Sequence, residues 1–161
     1  MVDDYEPFRR FICSTLRKKS TLQIVGEASD GLEAVHKSEL LQPDLIVLDL
    51  GLPTLSGIEA ARRIRKLSPE SKILFLSQES SADVVQEALS LGALGYVVKA
   101  HAGSELLAAV EAVRQRKRFV GTGLSDLFFT DNADTQASDS LYHQEDLPSL
   151  PPRKVGIPRS H

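Results

Sequence analysis

Short, continuous runs of branched apolar residues alternate along this chain with longer segments whose apolar residues recur every three or four positions. The runs are LQIVGEA at 22–28, DLIVLDL at 44–50, KILFLS at 72–77 and GYVVK at 95–99. A strand buried on both faces has no wet side to alternate with, so it reads as an unbroken apolar stretch, and three of the four do. Between them lie helical spacings. EPFRRFICSTLRKK puts Phe8, Phe11, Ile12 and Leu16 on one stripe, with Pro7 suited to a first turn. DGLEAVHKSELLQ opens on Asp30 as a cap and stops before Pro43. SGIEAARRIRKLS repeats Ile58, Ala61, Ile64 and Leu67, and SADVVQEALSLG closes on Gly92. GSELLAAVEAVRQRKR offers Ser104 as a cap and a basic last turn.

Strands separated by helices of this length require crossover connections. The pattern therefore predicts an α/β fold: a doubly wound parallel sheet with helices on both faces. Five helices beside four visible strands leave the count one strand short. The missing strand belongs before the first helix, where only MVDD stands, so a five-stranded sheet with a truncated first strand is expected.

The periodic pattern fades after Phe119. Residues 1–120 are expected to form one domain, and 121–161 a linker or mostly disordered tail, because Ser, Asp and Pro dominate there. LSDLFF is expected to add one helical turn docked on that domain. The net charge of -3 argues against a general nucleic-acid binder. A single cysteine, Cys13, excludes an internal disulfide and suits a reducing cytoplasm; its place on the apolar side of a helix reads as a core thiol. No apolar run reaches the length of a membrane span, and the acidic N-terminus does not resemble a signal peptide. A soluble, cytoplasmic protein is expected.

In an open parallel sheet, ligands bind beyond the carboxyl ends of the strands. The residues at those ends are Asp3 and Asp4, then Asp49, Ser77 and Lys99. Taken singly, each has a bland reading as a turn residue, a helix cap or a solvated end. Together they place three carboxylates, a hydroxyl and an ammonium at one edge. Clustered carboxylates repel one another, and a hard divalent cation such as Mg²⁺ relieves that repulsion through oxygen ligands. An Asp oxygen beside such an ion can attack phosphorus, and the phosphoryl oxygens then find partners in the metal, a Lys and a Ser.

VDD at 2–4, DLGLPTLSG at 49–57, LS at 76–77, GALGYVVK at 92–99 and the helix SELLAAVEAV complete a recognisable set. Over residues 1–120 the chain resembles the receiver domain of two-component response regulators. It is closest to receivers of the LuxR/NarL-type class, which normally precede a helix-turn-helix output domain. The resemblance implies a flavodoxin-like sheet of order 2-1-3-4-5. It implies that Asp49 is the phosphoacceptor, that Asp4, Asp49 and the backbone carbonyl of Gly51 hold Mg²⁺, and that Asp3 assists through water. Ser77 and Lys99 would bind the phosphoryl group, and Tyr96 would be the switch aromatic; the plainer reading of Tyr96 is a half-buried strand residue with its hydroxyl in solvent. A sensor histidine kinase or phosphotransfer protein is the implied partner, with homodimerisation possible and no nucleic-acid or membrane contact by this chain.

Four departures stand out. Only Met1 and Val2 precede the acidic pair, which points to a start assigned late or a trimmed chain. Gln78 follows Ser77 where a small residue is usual, and Ala100 follows Lys99 in place of a frequent Pro. Residues 125–161 show no helix-turn-helix pattern, and the ending PRSH suits either a short linker or a chain cut before another domain. Two rival readings follow: a degenerate receiver acting as a phosphorylation-independent interaction module, and a metal-dependent phosphatase. The second lacks its usual acid/base Asp two residues after the nucleophile, because Gly51 stands there.

Overall fold

The run at 72–77 forms the most deeply buried strand of the protein. In the computed structural model, which describes residues 1–124, β1 (Leu45–Leu48), β2 (Lys72–Ser77), β3 (Gly95–Val98) and β4 (Phe119–Val120) form a parallel sheet in the order β1-β2-β3-β4. All six residues of β2 are buried. It pairs Leu45 to Leu48 with Lys72 to Phe75 on one side, and Leu74 to Ser77 with Gly95 to Val98 on the other.

Five helices connect and cover this sheet: α1 (Glu6–Arg17), α2 (Gly31–Leu41), α3 (Gly57–Leu67), α4 (Ala82–Ser90) and α5 (Ala102–Arg114). On one face α1 and α5 deliver Ile12, Leu16, Leu106, Val110 and Val113 against Val47, Leu74, Leu76 and Val97. The alternate residues Ile46, Leu48, Ile73 and Phe75 point to the opposite face and are buried too. Both faces are therefore dry, as unbroken apolar strands require.

Several local expectations hold. Pro7 lies in the first turn of α1. Asp30 caps α2 by accepting the Glu33 N–H; Ser56 and Ser81, which the sequence reading did not name as caps, do the same for α3 and α4. Gly92 follows α4 at φ +97°, a conformation that L side chains rarely adopt.

Three differ. The expected strand at 22–28 is not one: only Ala28 makes a bridge, to Val2, which also bridges Leu48. The sheet has four parallel strands, not five, and the expected 2-1-3 order survives only as this pair of single-residue bridges. The physical reason is the neighbour. A strand needs a partner to take its N–H and C=O groups, and among the described residues the ladder beside 22–28 runs only from the Met1 ammonium on the Gly26 carbonyl to the Asp3 N–H on the Ala28 carbonyl. In their place a short strand that was not expected, β4, adds at the far edge beside β3.

The third difference is α5, which starts at Ala102 after a 3₁₀ turn over Lys99–His101, so Ser104 lies inside the helix and bonds back to the His101 carbonyl. Of the expected basic last turn, Arg114 lies in the helix, while Arg116, Lys117 and Arg118 fall beyond it. Arg116 adopts φ 63°, its N–H closing on the Val113 carbonyl at 2.9 Å. The helical turn expected at 124–129 and the tail read over 121–161 lie, apart from residues 121–124, outside the described residues.

Candidate functional site

Asp49 follows β1 directly, and its backbone still belongs to the sheet: its N–H donates to the Val2 carbonyl at 3.1 Å. The chain must then turn away at once. Gly57 makes this possible, because a side chain there would strike the Asp49 carbonyl, and its N–H returns to the Leu50 carbonyl at 2.8 Å. The loop between contains Thr54 at φ 69°, an unfavourable conformation for a β-branched residue. Asp49 is consequently fixed from both sides and 5% exposed.

Lys99 reaches it from the first residue after β3. Its ammonium lies 3.1 Å from Asp49 Oδ2 and 2.8 Å from Asp3 Oδ2, while the Phe8 ring packs beneath it at 4.9 Å. Asp49 Oδ1 accepts the Gly51 N–H at 3.2 Å. Asp3 is fully buried; its Oδ1 accepts the Tyr5 N–H at 2.9 Å, and its Oδ2 has Lys99 as its one polar neighbour. Asp4 beside it is exposed.

Burial pushes the Asp49 carboxyl above its ordinary range; Lys99 opposes this and the Asp3 carboxylate reinforces it. For Lys99, burial acts to lower the ammonium, but the bond to Asp3 and the charge of Asp49 outweigh it and hold it above the usual value. Desolvation and like charge thus destabilise the ionised Asp49 even with an ammonium in contact.

One ligand oxygen from each of Asp3, Asp4 and Asp49 can be chosen so that all lie within 4.8 Å of one another. Three carboxylates against one ammonium leave two negative charges unbalanced. A buried Asp3 oxygen with one polar neighbour, an exposed Asp4 and an all-oxygen donor set fit a hard divalent cation.

Ser77 ends β2 and is 2% exposed. Its Oγ accepts the Glu79 N–H at 3.0 Å. Tyr96 on β3 is fully buried, and its hydroxyl donates to the Glu79 carbonyl at 2.8 Å, so the plainer reading of a hydroxyl in solvent is not what the structure shows. Burial raises the Tyr96 phenol, against a hydrogen bond with Ser77. The Glu79 peptide is therefore held at both ends, by the hydroxyls of Ser77 and Tyr96. These residues open onto a cleft of about 690 Å³ lined by Asp4, Phe8, Asp49, Ser77, Gln78 and Lys99 among others.

The structure brings Asp3, Asp4, Asp49 and Lys99 into one cluster, with Ser77 and Gly51 on the wall of the same cleft and Tyr96 behind it. Sequence reasoning missed two residues of α1. Phe8 read only as a member of the core stripe. Arg9 was not singled out at all, yet its Nη1 donates to the Asp3 carbonyl at 2.7 Å and its Nε pairs with Glu27 at 3.0 Å. The available signal was indirect: an acidic pair with almost no strand behind it needs another anchor.

A carboxylate, ammonium and hydroxyl cluster at the carboxyl edge of a doubly wound sheet is the arrangement expected of a receiver domain. Comparison with known sequences agrees: the response regulator receiver domain matches residues 1–111, and the chain belongs to that family. It is 37% identical over 113 residues to a putative transcriptional regulator of Pseudomonas aeruginosa, covering 70% of this chain and 54% of the relative. It is 36% identical over 117 residues to the response regulator protein VraR of Staphylococcus aureus, covering 73% and 54%. The chain thus spans about half the length of these curated relatives. Among solved structures, a LuxR-family two-component response regulator from Aurantimonas superposes with a TM-score of 0.78 at 29% identity, covering 83% of this chain and 95% of that one. The relatives are of LuxR/NarL type. Phosphorylation on Asp and Mg²⁺ binding at an acidic pocket are general in this family, whose members are signalling proteins and not conventional enzymes. Among the described residues no helix is long and apolar enough to cross a membrane.

Proposed function

We propose that this chain is a phosphorylation switch in which Asp49 accepts the phosphoryl group of a phosphohistidine on a sensor kinase or phosphotransfer protein. The supporting observation is the position of Asp49: a buried carboxylate at the carboxyl end of β1, within reach of one ammonium and two further carboxylates. A carboxylate oxygen of Asp49 forms the new O–P bond as the P–N bond of phosphohistidine breaks, and the departing imidazole nitrogen takes up a proton. Asp4, Asp49 and the Gly51 carbonyl would hold Mg²⁺, with Asp3 assisting through water; when bound, the ion supplies positive charge to shield the carboxylates and the phosphoryl oxygens.

This chain's own groups account for the remaining steps. Lys99 exchanges one carboxylate partner for a phosphoryl oxygen, without leaving its seat over Phe8. Ser77 Oγ accepts the Glu79 N–H, and its hydroxyl proton turns from the Tyr96 hydroxyl to the new anion. Movement of Ser77 then pulls on the Glu79 peptide, and with it on the Tyr96 hydroxyl. The added charge thereby biases the face formed by α4, β3 and α5, and the output is a change in protein–protein contact, including homodimerisation, in a cytoplasmic protein. Neither nucleic acid nor membrane is contacted by residues 1–124 in this reading.

A second reading, a receiver acting as a phosphorylation-independent interaction module, is favoured by one feature: Lys99 alone already bridges Asp3 and Asp49. One experiment separates the two. Acetyl phosphate or beryllofluoride with Mg²⁺ is expected to modify the wild-type chain and leave Asp49→Asn unmodified, as read by intact mass or ¹⁹F NMR. Equal modification of both proteins would remove Asp49 from the role, and modification of neither would establish the second reading.

A further inference from the structure

Asp3 and Asp4 are the acidic residues with the least sheet behind them. Val2 makes single bridges to Ala28 and Leu48, the Asp3 N–H reaches the Ala28 carbonyl at 3.1 Å, and there the ladder ends. The Asp3 carbonyl heads the peptide unit that carries Asp4, and it has no strand partner. Arg9 takes it, from the first turn of α1. Its Nη1 donates to the Asp3 carbonyl at 2.7 Å while its Nε holds Glu27 Oε1 at 3.0 Å, and the side chain is 17% exposed. Glu27 is anchored in turn, since Lys37 of α2 donates to its carbonyl.

We infer that Arg9 is a positioning residue for the cation site: it fixes the Asp3–Asp4 peptide, and hence the Asp4 carboxylate, just beyond the last ladder bond, between the Asp3 N–H and the Ala28 carbonyl. This rests on the proposed use of Asp3, Asp4 and Asp49 as the cation site. The geometry demands a guanidinium. Two N–H groups pointing in fixed, different directions are used at once, on a carbonyl and on a carboxylate, and a Lys ammonium offers no such rigid fork. Partners one shell out from a metal ligand commonly change metal affinity by roughly 10–100-fold when removed.

The test uses Mn²⁺ as the probe, with free ion counted by electron paramagnetic resonance on the full chain. Arg9→Ala and Arg9→Lys are each expected to raise the Mn²⁺ Kd about 10–100-fold, at a temperature where circular dichroism shows both variants fully folded. A purely structural Arg9 would lower the unfolding midpoint but leave the folded protein's Kd within twofold of wild type, and that result would overturn the inference. If Arg9→Ala does not fold, Glu27→Gln provides the second variant: it releases the far end of the clamp, keeps every carboxylate of the site, and is expected to weaken Mn²⁺ severalfold. Failure of wild type itself to bind Mn²⁺ would sink the cation-site reading along with this one. Tight binding by wild type and variants alike would sink this one alone.

Discussion

Residues 22–28 and β2 carry comparable runs of apolar residues, yet only one of them is a strand. β2 has a parallel neighbour on each side and every residue of it is buried. The 22–28 segment has Met1 and Val2 beside it, and its side chains alternate between half-buried and exposed, with Val25 52% exposed. Strand character is thus a property of the pair and not of the run. Where the ladder is missing, side chains replace it: Arg9 grips Glu27, Lys37 takes the Glu27 carbonyl, and the Met1 ammonium bonds the Gly26 carbonyl at 3.2 Å. The site straddles this divide. Asp49, Ser77 and Lys99 come from the laddered side, whereas Asp3 and Asp4 come from the pinned one.

The largest expected contrast is in packing. Leu74→Ala removes a fully buried side chain between α5 and the sheet and is expected to cost about 2–5 kcal/mol. Ile24→Ala, at a half-buried position of the pinned segment, is expected to cost less than about 1.5 kcal/mol. Urea unfolding of both variants measures the difference, and equal losses would mean that the two sides are equally consolidated. Native-state hydrogen exchange probes the same contrast without mutation. Amides of β2 and β3 are expected to exchange only through global unfolding, and those of residues 22–27 by local opening, orders of magnitude faster.

The same contrast explains what could be read in advance. KILFLS is found as a strand at the positions its pattern gives, because a run buried on both faces carries its own signal. The start of α2 was legible because Asp30 encodes its cap locally, and Ser56 and Ser81, not singled out beforehand, act in the same way. Ser104 misled because the chain after β3 tightens into a 3₁₀ turn that starts the helix three residues earlier, without a side-chain cap. The acidic residues, Ser77 and Lys99 were visible because strand ends are legible. Arg9 was not, since its role depends on the Asp3 carbonyl, which lies beyond the last ladder bond and which a helix stripe gives no sign of.

A smaller effect concerns the charge on the laddered side. Burial raises the Asp49 carboxyl above its ordinary value, so folding favours the protonated form. The stability this contributes is fully present below the unfolded carboxyl pKa and is lost as pH rises through the folded one. In EDTA, Asp49→Asn is therefore expected to be more stable than wild type at pH 7, with the advantage shrinking to nothing near pH 3. Added Mg²⁺ is expected to reverse the order by stabilising wild type alone. A variant less stable than wild type at pH 7 in EDTA would show that the Lys99 pair outweighs desolvation.

The smallest expected effect lies on the pinned side, at the start of α2. Glu33 reaches back to accept the Ser29 N–H at 2.8 Å and pairs with Lys37 at 3.0 Å, while its own N–H is capped by Asp30. The hydrogen bond from Ser29 comes first in holding the Glu33 carboxyl below its usual value, with Lys37 helping. For a lowered pKa the sign is opposite to that of Asp49: the stabilisation exists above the unfolded pKa and disappears as pH falls through the folded one. Glu33→Gln keeps an acceptor for Ser29 but loses the charge. Because the group is mostly in solvent, the loss at pH 7 is expected to be only roughly a few tenths of a kcal/mol, reduced further by salt. Lys37 gives this position a wider reach than its energy suggests, since the same ammonium also holds the Glu27 carbonyl. If Glu33→Gln also speeds hydrogen exchange at residues 22–27, the capping charge and the replacement for the missing ladder are one connected network. Unchanged exchange there would show that Arg9 and the Met1 ammonium hold the segment without it.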